Sequence, residues 1–224
     1  LLLLFNSYFE NPAETKLEKQ TAQKTFKYLA LGDSYTKGES VPLNKSFPHQ
    51  LLDELKKGST IKEGEVKIIA QTGWTTTNLK NAIESENDKS SYDLVTLLIG
   101  VNNQYQNKAI TLYEKEFAEL LETAIKMAGG DKNKVVVVSI PDYGYTPFGS
   151  DNQANISKGI DAYNNTCKQI TIKKAITFVD ITTISRKAKS RPELVAADGL
   201  HPSSIMYKEW VDLMLPDIKK KIEK

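Results

Sequence analysis

Cysteine and histidine are scarce in this 224-residue chain, and their scarcity removes several kinds of chemistry at once. The single cysteine, Cys167, excludes an intramolecular disulfide and any cysteine-rich metal site. It falls in a helical pattern, where a buried, inert thiol is the expected role. The two histidines, His49 and His201, form no His-x-x-x-His pair, so neither a catalytic metal nor a cofactor is expected. His49 lies near the start of a helical stretch and reads as exposed or capping. No Gly-x-Gly-x-x-Gly or phosphate loop follows an apolar run, which argues against nucleotide binding. No serine sits in a Gly-x-Ser-x-Gly elbow, since Thr36 stands where the second glycine after Ser34 would be. Charge of one sign is also lacking: 30 basic and 28 acidic residues are scattered along the chain and leave a net charge of +2. That balance gives no reason to invoke nucleic acid. The apolar run at residues 1–5 is too short to span a bilayer, so stable membrane insertion is not expected.

What is present is an alternation of apolar runs and amphipathic stretches, with 40% apolar residues, enough for a sizeable core. Strands are expected at residues 26–31, 66–70, 94–99, 135–140 and 176–179. Helices are expected at 47–57, with Ser46 as cap, and at 75–85, 112–127, 156–173 and 203–222. Strands alternating with helices predict a three-layer α/β/α sandwich around a five-stranded parallel sheet. Residues 26–224 read as one domain without internal repeats. Residues 1–25 stand apart: an apolar start followed by a polar stretch. Two readings stay open for them. One is the remnant of an export signal, which fits a start other than methionine and implies a periplasmic or secreted protein. The other is a loosely docked tail, which leaves a cytoplasmic location equally open.

The chemistry is carried at the ends of the expected strands. Ser34, in Gly32-Asp33-Ser34, follows the first run, and a hydroxyl at the carboxyl end of a strand lies where such sheets place their ligands. A serine attacks a carbonyl only when a base takes its proton, and histidine, with an ordinary pKa of about 6.5, suits that task. His201 follows Asp198 by three residues, so one turn brings a carboxylate to the imidazole and fixes its tautomer. Acyl transfer further needs fixed N–H donors for the developing oxyanion. Gly73 follows the second run and offers a backbone N–H; Asn102 follows the third and offers a side-chain amide. Each piece alone also has a plain reading as turn chemistry; only the four together specify a site.

In this arrangement the chain resembles the SGNH hydrolases, also called GDSL esterases and lipases. Their first block is matched by Gly32-Asp33-Ser34, their glycine block by Gly73, their Gly-x-Asn block by Gly100-Val101-Asn102, and their Asp-x-x-His block by Asp198 to His201. The resemblance covers roughly residues 26–222. Two positions depart from it. Asn103 replaces the aspartate that usually closes the third block, a position the resemblance marks as supporting, and Tyr35 stands where many members have another residue.

The resemblance implies a flavodoxin-like SGNH fold and a metal-free serine esterase working through an acyl-enzyme. Ser34 would be the nucleophile, His201 the base and Asp198 its orienting group. The Ser34 and Gly73 N–H groups with the Asn102 amide would form the oxyanion hole.

Substrate signals are thinner. The loop at residues 141–149, which includes Tyr143, is rich in aromatics, proline and glycine; it reads either as a pocket wall or as a rigid surface loop. Tyr35, Trp74 and Tyr105 adjoin the proposed site and read either as its lining or as packing. The absence of a long apolar lid favours short acyl groups, with a small-molecule or carbohydrate-linked ester as substrate. A lysophospholipase or thioesterase is the alternative within enzymes, and a non-catalytic carbohydrate- or lipid-binding module the alternative outside them.

Overall fold

A computed structural model describes residues 25–57 and 59–222. The expectations for the first 24 residues fall outside them. Five strands form one parallel sheet: β1 (Phe26–Gly32), β2 (Gly64–Ala70), β3 (Leu94–Leu98), β4 (Val135–Val138) and β5 (Thr177–Val179), in the order β2-β1-β3-β4-β5. Burial explains the order. Every residue of β3 and β4 is buried, as expected of central strands covered on both faces, whereas β2 and β5 at the edges are only partly buried.

The helices are α1 (Ser34–Lys37), α2 (Phe47–Lys56), α3 (Thr76–Glu86), α4 (Val101–Tyr105), α5 (Ile110–Met127), α6 (Gln153–Lys173), α7 (Thr182–Ser185) and α8 (Ser204–Ile222). α2 packs on α8, and α3, α5 and α6 pack in a row, completing a three-layer α/β/α sandwich. Among the described residues no helix is long and apolar enough to cross a membrane. The core gathers Leu29 and Leu31 of β1, Leu97 of β3, Val137 of β4 and Trp210 of α8, all fully buried. Each such side chain stabilises the fold by about 1.5–3 kcal/mol relative to leaving it in water.

The sequence-based elements recur with shifted ends. Ser46 is a finding of its own. It occupies the N-cap position of α2, but its hydroxyl caps nothing; it donates to the Leu43 carbonyl at 2.8 Å and meets His49 Nδ1 at 3.0 Å. α3, by contrast, carries a full capping box: Thr75 accepts from the Asn78 N–H, and the Asn78 side chain accepts from the Thr75 N–H. His49 is partly buried, and burial lowers its pKa.

The topology decides where a site forms. Chain connections leave β1 in one direction to β2 and return across it to β3, so the strand order reverses between β1 and β3. A crevice opens at the carboxyl ends of such a pair. Ser34 follows β1 and Asn102 follows β3.

Candidate active site

Ser34 is the first residue of α1, a single turn set by its neighbours. Asp33 caps it by accepting the Tyr35 N–H at 3.0 Å, and Gly38 closes it in the left-handed conformation at φ 81°. The Ser34 side chain is almost wholly buried in protein, yet it lines a cavity of about 180 Å³ together with Gly73, Asn102 and His201. Four of the expected strand-end positions therefore meet at one cavity. Among the described residues no hydrogen bond joins Ser34 to His201; the two face the same space. Catalytic hydrogen bonds in empty sites are often long and tighten when substrate binds.

The loop carrying His201 is a tight hairpin. Val195 and Pro202 form an antiparallel bridge, Ala196 N–H donates to the His201 carbonyl at 2.7 Å, and Gly199 N–H donates to the Ala196 carbonyl at 3.0 Å. The loop folds Asp198 back on its own backbone: Asp198 Oδ1 accepts the N–H groups of Leu200 and His201, both at 2.9 Å. Asp198 Oδ2 lies 2.6 Å from His201 Nδ1. A carboxylate there requires hydrogen on Nδ1 and leaves Nε2 free to accept a proton. Burial pushes the Asp198 pKa up, but hydrogen bonds from Ser40, His201 and the two backbone N–H groups outweigh it and hold the carboxyl well below the usual range.

The two oxyanion candidates are held differently. Gly73 has φ 85°, which a side chain would strain, although nothing lies within 4 Å of where its Cβ would be. The glycine is thus needed for backbone shape, not for room. Gly100 is needed for both. Its φ is 133°, and a Cβ would sit 2.6 Å from the Tyr113 ring. That conformation turns the chain from β3 into α4 and brings Asn102 to the cavity. Asn102 donates one amide hydrogen to the Trp74 carbonyl at 3.0 Å, which fixes the amide plane and leaves the second hydrogen for a ligand.

Asn103, the departure from the usual third block, is fully buried. Its Oδ1 accepts the Thr76 N–H at 2.9 Å and its Nδ2 donates to Thr76 Oγ1 at 2.7 Å. Thr76 Oγ1 in turn donates to Glu116. Asn103 therefore ties the start of α3 to α4, and an amide satisfies both partners where a carboxylate would only accept.

The sequence-based lining divides. Tyr35, Tyr105 and Tyr143 line the cavity. Tyr35 is buried and turns its ring edge-on to His201 at 5.8 Å between centroids. Trp74 requires correction: its side chain packs against the hydrophobic core and does not line the cavity, and only its backbone carbonyl serves the site, by holding Asn102.

Sequence reasoning offered the loop at 141–149 as a pocket wall without singling out Phe148, which lines the cavity and joins Tyr105 and Tyr143 in an aromatic cluster with centroids 6.1–6.3 Å apart. The aromatic richness of its loop was the available signal. Phe148 N–H donates to the Gly199 carbonyl at 3.0 Å, so the aromatic loop rests on the loop that carries His201. Cys167 is buried, and burial pushes its thiol up to about 12.

Asp33 has a further property. It is fully buried, and burial raises its pKa from 3.8 to about 7, against the lowering effect of the Tyr35 N–H. A carboxyl whose folded pKa is raised binds its proton more tightly in the native state. Its contribution to stability is complete below the unfolded value of 3.8 and is lost as pH rises through about 7. Asp33→Asn keeps the acceptor for Tyr35 but cannot ionise. Between pH 5 and pH 8 the variant should lose less stability than the wild type, by on the order of 2 to 3 kcal/mol. Urea unfolding of both proteins at the two pH values measures this. An identical pH dependence would rule out a buried, titrating Asp33.

Comparison with known proteins bears on the family and the fold. Residues 30–209 match the profile of the GDSL-like Lipase/Acylhydrolase family. No protein of curated function matches the sequence. Among solved structures, a member of the lipolytic protein G-D-S-L family from Veillonella parvula DSM 2008 is similar at 18% identity and TM-score 0.66, over 86% of this chain and 97% of that one. The lipase/acylhydrolase from Enterococcus faecalis is similar at 23% identity and TM-score 0.62, over 88% and 96%. A variant of Axe2, an acetyl xylan esterase from Geobacillus stearothermophilus, is similar at 18% identity and TM-score 0.62, over 86% and 94%. At these identities the likeness shows the fold.

Proposed function

The chain belongs to the GDSL-like lipase/acylhydrolase family and is a carboxylic ester hydrolase, and from that premise we propose that it removes short acyl groups, acetyl above all, from carbohydrate through a Ser34 acyl-enzyme. In this reading Ser34 Oγ attacks the ester carbonyl as His201 Nε2 takes its proton. The Ser34 and Gly73 N–H groups and the Asn102 amide receive the oxyanion. His201 returns the proton to the leaving alcohol, and a water activated by His201 then releases the acid. Asp198 keeps the imidazole oriented and balances its charge.

The observation that carries the substrate class is the size and rim of the cavity. Its volume of about 180 Å³ is below the range of roughly 300–1,000 Å³ typical of sites that enclose drug-sized ligands. Such a space suits an acetyl group better than a long acyl chain. Tyr105 and Phe148 stand at its mouth with 54% and 53% of their surface exposed. Flat, exposed rings next to a small acyl pocket suit a leaving group that presents a face of C–H bonds, as a sugar ring does. The similarity in fold to an acetyl xylan esterase supports the same reading.

The test is a series of p-nitrophenyl esters from acetate to octanoate, followed by acetylated xylo-oligosaccharide. Catalytic efficiency should be highest at two carbons and fall by at least tenfold by eight. Efficiency that rises toward octanoate would overturn the short-acyl reading and favour a lysophospholipase or thioesterase.

A further inference from the structure

We propose that Ser40 is a positioning residue of the catalytic triad, its hydroxyl fixing the Asp198 carboxylate that orients His201. This rests on the assignment of Ser34, His201 and Asp198 given above. Ser40 Oγ donates to Asp198 Oδ2 at 2.5 Å, the same oxygen that meets His201 Nδ1 at 2.6 Å. The two donors on Oδ1 are the Leu200 and His201 N–H groups, which belong to the loop of Asp198 itself and move with it. Ser40 lies 158 residues earlier, just beyond the helix that carries Ser34. Its bond therefore references the base loop to the nucleophile.

The need for such a tie follows from exposure. The Asp198 side chain is 31% exposed. A carboxylate open to water has other partners to turn toward, and a second donor on Oδ2 restricts that freedom. Of the hydrogen bonds that lower the Asp198 pKa against its burial, that of Ser40 has the largest effect.

The backbone of Ser40 supports the same conclusion. Its φ is 65°, in the left-handed region where residues other than glycine are uncommon. Glycine would adopt that conformation without strain. A serine kept there is accounted for by what its hydroxyl holds. The neighbouring Glu39 makes a parallel tie: it accepts from Thr72, next to Gly73, and pairs with Lys37 at 3.0 Å. Residues 38–40 thus connect the nucleophile helix to the base on one side and to the oxyanion loop on the other.

The experiment compares Ser40→Ala, which keeps the backbone strain, with Ser40→Gly, which relieves it. Both lack the hydroxyl. Both should lower kcat by about three- to tenfold, the range for losing one hydrogen bond, with KM changed less than twofold. In an Asp198→Ala background the same two substitutions should cost nothing further, because the carboxylate through which Ser40 acts is gone.

Wild-type kcat in both single variants would overturn the proposal. A loss in only one of the two would assign the effect to the backbone and overturn it as well. So would a full additional loss in the Asp198→Ala background. Ser34→Ala, assayed in parallel, separates the proposal from its premise. Activity surviving there would overturn the triad and the Ser40 assignment together, whereas an inactive Ser34→Ala beside unaffected Ser40 variants overturns Ser40 alone.

Discussion

Ser34→Ala should abolish ester hydrolysis, with a loss of about 10³- to 10⁶-fold in kcat, while the protein stays folded. The size of the effect follows from the chemistry. Without an oxygen at this position no acyl-enzyme forms, and only oxyanion stabilisation and substrate binding remain. The folded state should be untouched for a local reason. The turn that holds Ser34 is set by the Asp33 carboxylate accepting from Tyr35 and by Gly38 at its end, and neither contact uses the serine side chain. Alanine at the first position of a helix costs nothing in propensity. Turnover by the pure variant and its thermal unfolding decide the matter together. One tenth of wild-type activity in a folded variant would remove Ser34 from the mechanism. A fluorophosphonate that labels some other serine in the wild type would do the same.

The fold and the pairing of Asp198 with His201 were legible because they depend on short-range pattern. Strands β3 and β4 are buried throughout, and such strands must read as unbroken apolar runs, as Leu94–Leu98 and Val135–Val138 do. Asp198 and His201 are three residues apart, so their hydrogen bond is closed within one turn and needs no tertiary knowledge. What escaped the sequence depends on contacts that no spacing encodes. Ser40 meets Asp198 only because the loop after α1 and the loop before α8 come together at the carboxyl end of the sheet. Trp74 follows the expected oxyanion glycine directly, and its proximity in sequence suggested a place in the pocket. The positive φ of Gly73 turns the chain there, and the partly buried indole packs against the core instead. Asn103 shows the same limit from the other side. Its neighbour Asn102 faces the cavity while Asn103 is buried against Thr76, a division that one turn of helix makes and composition does not announce.

Asp198→Asn should lower kcat by about 10²- to 10⁴-fold and leave a slow, folded enzyme. Asparagine retains an oxygen for the Leu200 and His201 N–H groups, so the hairpin of the base loop keeps its shape. The other end of the side chain becomes a donor facing His201 Nδ1. That favours the tautomer with hydrogen on Nε2, which cannot take the proton from Ser34. The cost should fall toward the lower part of the range, because Asp198 is partly exposed and solvent offsets some of the lost charge. The pH dependence separates the two members of the pair. Asp198 is held well below the usual carboxylate range by its hydrogen bonds, so it stays ionised through the whole acid limb. A decline in kcat/KM toward acid therefore does not come from loss of the Asp198 charge. The measurement is kcat/KM from pH 5 to 8 for the wild type and for Asp198→Asn, with circular dichroism confirming the fold at each pH. A wild-type acid limb that disappears in Asp198→Asn would contradict an Asp198 that stays ionised, and near-normal turnover in Asp198→Asn would exclude it as the orienting group of His201.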